Sequence, residues 1–119
     1  MEFTMPTPFV WFDNIGSNRD ETASFLGKAF GWSENNIGPM TFLTGDGELP
    51  FAAACDAMKD ISGWVPYIEV DDLEAEVAKV SALGANVVAA NLDGPAGTAT
   101  FLTDPGGAPI ALWKRGQNM

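Results

Sequence analysis

Trp11 stands two residues before Asp13, and Tyr67 stands two residues before Glu69. Residues two apart in an extended chain share a face, so each pair sets an aromatic ring beside a carboxylate on one side of a strand. That pairing suits a planar or cationic organic molecule. The ring gives a stacking surface and the carboxylate a countercharge, and a cation over an indole gains about 0.5–2 kcal/mol. Trp113, near the end of the chain, adds a further ring. The competing reading of the same residues is that the aromatics fill a core and the carboxylates are solvated strand ends.

Other chemistry is narrowed by what the chain lacks. It contains no histidine, which removes Ser-His-Asp and Cys-His catalysis, imidazole ligation of zinc and the commonest general base near neutral pH. Two carboxylates with water can hold Mg²⁺ or Mn²⁺, so Asp13 and Glu69 are the candidates for a rebuilt metal site. Either could instead act as a general base if burial raised its pKa. The Asp71-Asp72 pair reads as the start of a helix. The single Cys55 follows a run of three alanines and allows no intrachain disulfide, which fits a buried, inert thiol.

These groups must be carried by one domain. The chain has 119 residues, 46% apolar and 18% charged, enough for one core. A unit of roughly 50 residues would be marginal alone. The halves are therefore expected to pack on each other or on another chain, and a homodimer is expected. A net charge of −10 with scattered basic residues argues against nucleic acid and anionic membranes as partners. The opening residues lack a basic and apolar leader pattern, and no apolar run reaches membrane-spanning length. A cytoplasmic location is expected.

Trp64 to Trp113 reads as strand, helix and three strands, and a looser copy precedes it. Three landmarks recur at a constant spacing: Trp11 and Trp64, Glu21 and Glu74, Gly31 and Gly84. The first unit spans about 8–58. Its strand runs over 8–15, with Val10 and Phe12 on one face and Phe9, Trp11 and Asp13 on the other. A helix capped by Asn18 and Glu21 follows, with Thr22, Phe25, Leu26, Ala29 and Phe30 as its sheet-facing stripe and Gly31 ending it. A polar connection at 33–39 leads to two hairpin strands at 40–44 and 49–55, with a short third as the alternative, and 56–63 is the linker. The second unit spans about 62–115. It opens on a strand at 64–70, where Pro66 implies an edge or an irregularity. A helix with Leu73, Val77 and Val80 buried ends at Gly84, and strands follow at 85–90, 98–103 and 108–113, before a frayed tail.

The segments FVWFDN, FLGKAFGW, WVPYIEVDDLEAEVAKVSALGA and TATFLTDPGGAPIALW, in this order and spacing, resemble the vicinal oxygen chelate superfamily of glyoxalases, bleomycin-resistance proteins and extradiol dioxygenases. The resemblance covers nearly the whole chain. It implies an α+β fold of two βαβββ modules whose curved mixed sheets surround a shared cavity, with helices outside. Val10, Phe12, Ile68, Val70, Ile110 and Leu112 would face the helices, and Trp11, Asp13, Tyr67, Glu69 and Trp113 the cavity. The ligand positions of metal-using members fall on Trp11, on Val65 or Trp64, on Ala111 and within Ala52 to Ala54, none of which is a ligand. The expectation is a binding protein without cofactor or metal that holds a small organic ligand at Trp11, Asp13, Tyr67, Glu69, Ala111 and Trp113. The alternative is a lyase, isomerase or dioxygenase with an atypical metal site or none. A module that serves only as a partner for another chain is a third reading.

Overall fold

The computed structural model describes residues 8–116. The first residues, read against a leader, and the last three, read as frayed, lie outside these. The elements run β1 Trp11–Ile15, α1 Arg19–Phe30, β2 Ser33–Ile37, β3 Met40–Thr44, β4 Ala52–Cys55, β5 Gly63–Glu69, α2 Leu73–Ala82, β6 Asn86–Asp93, β7 Gly97–Thr103 and β8 Pro109–Arg115. This is βαβββ twice, in an α+β fold. No described helix is long and apolar enough to cross a membrane.

All the strands belong to one curved sheet of order β2-β3-β4-β1-β5-β8-β7-β6. Within each module the first strand pairs parallel with the last, β1 with β4 and β5 with β8. The modules meet where β1 and β5 lie antiparallel, with Trp11 opposite Tyr67 and Asp13 opposite Val65. The contact that a small module needs is therefore supplied within the chain. The Pro66 irregularity is the late start of the β5–β8 ladder, which begins at Tyr67.

Parity between the modules corrects one landmark. The N-caps Asn18 and Asp72, whose side chains accept from Glu21 N and Ala75 N, lie one residue further apart than Trp11 and Trp64 do. Trp11 therefore corresponds to Val65, which is fully buried, while Trp64 is 43% exposed.

Helix α1 is also turned from its expected face. Ala23 and Leu26 are buried, whereas Phe25 and Phe30 are exposed and meet edge to face outside the sheet. The reason is close packing. Ala23 and Leu26 sit on Leu43, Ala52 and Ala54, and a side chain at Gly27 would come within 3.1 Å of the Trp32 carbonyl oxygen. A phenylalanine has no room on that face. Helix α2 keeps its expected face, with Leu73, Val77 and Val80 against Leu102 and Leu112.

Strands β1 and β4 start later than expected, at Trp11 and Ala52 instead of at 8 and 49, and three other assignments differ more. The polar stretch at 33–39 contains β2, an edge strand exposed along its length and paired only with β3. Polar residues suit an edge strand whose side chains all reach solvent. Strand β6 continues to Asp93 through two register shifts and Asn91 at φ 56°. Strand β8 extends through Lys114 and Arg115, which the sequence reading placed in the tail.

Leu43 is fully buried between α1 and the sheet. Leu43→Ala should cost about 2–5 kcal/mol of unfolding free energy in urea titrations. A loss below about 1 kcal/mol would show that this layer is loosely packed.

Candidate functional site

The side of the sheet away from the helices carries the candidate site. Alternation along each strand decides what reaches it. Trp11 and Asp13 come from β1, Met40 and Phe42 from β3, Tyr67 from β5, Ala99 and Phe101 from β7, and Trp113 and Arg115 from β8. Leu49 and Pro50 close one end, and the turn from Leu92 to Gly97 closes the other. Together they enclose a cavity of about 510 Å³ bounded by both modules of one chain, within the usual range for small-molecule sites. A shallower depression along the start of α1 gathers Ser17, Asn18, Glu21 and Lys28 on the outer surface.

Asp13 is 4% exposed. Its Oδ1 accepts from the Trp11 indole Nε1 at 2.8 Å, and its Oδ2 accepts from the Tyr67 hydroxyl at 2.5 Å. Burial lifts its carboxyl above the ordinary value of 3.8, against the hydrogen bonds from Tyr67 and Trp11 that favour the charged form. Burial, and then the charge on Asp13, push the Tyr67 hydroxyl and the Cys55 thiol upward, so both hold their protons at neutral pH. Cys55 is therefore an inert wall group and not a nucleophile.

The aromatic walls are fixed by contact with one another. Trp11 meets Phe42 edge to face at 5.5 Å, and Tyr67 meets Phe101 at 5.8 Å. Trp113 is held by a close backbone approach. A side chain at Gly97 would lie 2.6 Å from the Trp113 Nε1 and 2.2 Å from the Lys114 carbonyl oxygen. Only glycine fits there.

The expected site residues divide. Trp11, Asp13, Tyr67 and Trp113 line the cavity together. Glu69 lies outside the lining, because its carboxylate takes the Arg115 Nε and Nη2, each at 3.1 Å. Ala111 is fully buried in the core cluster with Val65, Tyr67 and Phe101 and does not line the cavity. Val10, expected to face a helix, lines the cavity, since it precedes the first regular residue of β1 and its N–H bonds to the Tyr67 carbonyl oxygen.

Phe42 and Phe101 were missed, although the alternation in MTFLT and TATFLT marks them. Arg115 was missed because nothing local extends the last strand past Trp113. Its guanidinium now stacks 4.9 Å above the Trp113 ring while pairing with Glu69, and that pairing raises its pKa.

The positions at which the resemblance implies metal ligands hold Trp11, Val65, Ala111 and the three alanines of β4. All but Trp11 are fully buried and apolar. Among the described residues no three of His, Cys, Asp and Glu converge. Asp13, the one carboxylate at the floor, has both oxygens turned to donor hydrogens. The residues present do not fit a divalent cation, which asks for several oxygen ligands at once.

Known proteins share both sequence and fold. A family model described as a glyoxalase-like domain matches residues 10–113. "Putative glyoxylase CFP32" of Mycobacterium tuberculosis is 32% identical, over 99% of this chain and 49% of its own length. "Anthracycline biosynthesis protein DnrV" of Streptomyces peucetius is 27% identical, over 90% of this chain and 46% of its own. The chain thus spans about half the length of these curated relatives. Methylmalonyl-CoA epimerase from Mycobacterium tuberculosis shares the fold at a TM-score of 0.64 and 16% identity, covering 97% of this chain and 95% of the other.

The buried carboxylate gives a pH test. A folded-state pKa above the unfolded value means that the folded protein binds the proton more tightly. Stability from Asp13 is then full below pH 3.8 and is lost as the pH rises through the folded-state value. Asp13→Asn removes this component, so the stability of wild type relative to the variant should fall from acid to neutral pH in urea titrations. A difference that is flat or rises over that window contradicts the assignment.

Proposed function

Because this chain belongs to the glyoxalase-like domain family, within the vicinal oxygen chelate superfamily, we propose that it acts as a metal-free binding protein for planar aromatic small molecules. One observation carries the reading. Five rings, those of Trp11, Phe42, Tyr67, Phe101 and Trp113, line a single cavity of about 510 Å³. Such a cavity gains affinity from stacking and apolar burial and needs few polar anchors.

A cationic headgroup finds less in this cavity than strand parity suggests. The charge of Glu69 is matched by Arg115, and that of Asp13 is spread over two hydrogen bonds. The planar part of the ligand keeps its partners, since the stacking surfaces remain. The name of one relative ties it to anthracycline biosynthesis, and anthracyclines carry a fused planar ring system. That supports the same ligand class here.

The enzymatic alternative, a lyase, isomerase or dioxygenase, would have to draw on Asp13 as its base. The two hydrogen bonds that Asp13 accepts stabilise its charged form and so weaken it as a base. Sequestration asks no proton transfer of it.

A screen of planar aromatics against aliphatic compounds should quench tryptophan fluorescence only with the former, Trp11 and Trp113 being in the cavity. Trp113→Ala should weaken a confirmed ligand about two- to tenfold. Quenching by aliphatic compounds alone would sink the reading.

Elemental analysis of protein purified without chelators should find no stoichiometric transition metal. One equivalent of Zn, Ni, Mn or Fe whose removal by EDTA abolishes ligand binding would replace the metal-free reading with the enzymatic one.

A further inference from the structure

The hydrogens at the floor of the cavity can be counted. The Trp11 indole has one, and it goes to Asp13 Oδ1 at 2.8 Å. The Tyr67 hydroxyl has one, and it goes to Asp13 Oδ2 at 2.5 Å. The Cys55 thiol has one, directed at the Ala53 carbonyl oxygen at 4.0 Å. An ionised Asp13 has none. The floor is therefore left with lone pairs only, on the Tyr67 oxygen and on the carboxylate.

At the rim, Arg115 has the opposite character. Arg115 lines the cavity and gives its Nε and Nη2 to Glu69. Its Nη1 donates to no protein acceptor among the described residues, and a guanidinium carries no lone pair to offer. The rest of the lining is mainly rings and aliphatic groups, with the Asp93 carboxylate, which accepts from the Thr98 hydroxyl, beside the turn that closes one end.

Resting on the reading of the cavity as a site for planar aromatics, we propose that it selects its ligand by hydrogen-bond polarity. The compound bound is a planar aromatic with an amino or hydroxyl hydrogen at its buried end, donated to Tyr67 and Asp13. It carries a carbonyl or carboxylate oxygen at the end facing Arg115. A ligand that buries an acceptor or a methyl group at the floor leaves lone pairs unmatched in a dry site, and a buried unmatched acceptor is costly. Asp13 then has two parts: it accepts from the ligand, and its carboxylate takes the Tyr67 hydrogen and so turns the hydroxyl oxygen into an acceptor.

Three neutral probes of one ring system separate the effects at neutral pH: 2-aminoanthraquinone, the nearly isosteric 2-methylanthraquinone, and anthraquinone itself. All have carbonyls for the rim, and only the first has a hydrogen for the floor. Titration by tryptophan quenching should show the amino compound binding about tenfold more tightly than the methyl compound. The double variant Tyr67→Phe with Asp13→Leu removes both acceptors of the floor and should bring that ratio close to one while the affinity for the methyl compound holds. The wild-type ratio decides the matter even if the variant fails to fold. Equal affinities, or tighter binding of the methyl compound, overturn the polarity rule and leave the cavity a planar aromatic site. Binding of none of the three overturns both.

Discussion

Asp13 joins the two halves of this molecule. It sits on β1, takes the indole hydrogen of its own strand neighbour and the phenol hydrogen of Tyr67 from the facing strand. The β1–β5 ladder is the seam between modules, and each helix packs on the strands of its own module. A buried carboxylate is tolerable only when its hydrogen bonds are made. The cost of burying Asp13 therefore fixes how the modules lie against each other, and the same contacts set two of the rings that wall the cavity. Fold and site share one group.

The sequence reading is strongest where the chain alternates regularly. The pairs Trp11 with Asp13 and Ile110 with Leu112 follow from period two, and the helix caps at Asn18 and Asp72 follow from side chains that accept locally. It is weakest where tertiary packing chooses between faces. The α1 stripe of phenylalanines is as apolar as the face that is buried, and the choice was made by Leu43, Ala52 and Ala54 far along the chain, on which Ala23 and Leu26 pack, and by the Trp32 carbonyl oxygen beside Gly27.

Glu69 illustrates why a charged site is hard to read from spacing alone. Strand parity puts its side chain on the right surface, but parity says nothing of what lies diagonally across on the next strand. There Arg115, two residues past the partner of Glu69, reaches back to the carboxylate. The sign of the charge that a ligand meets at the rim depends on that neighbour. Arg115 became a candidate only once β8 was seen to continue through it.

The eight-stranded sheet ends in two unpaired rims, and each is blunted by different means. On β2 the outward chain is polar, with Glu34, Asn35 and Asn36 between Ser33 and Ile37. On β6 the ladder itself is broken by two register shifts, with Asn91 in a left-handed conformation. Another strand finds no regular row of amides to join at β6 and meets a charged, strongly hydrated face at β2. A curved open sheet with a greasy hollow is a natural seed for fibrils. This one carries a stop at both ends, so its apolar hollow lies between two edges that resist adding a further strand.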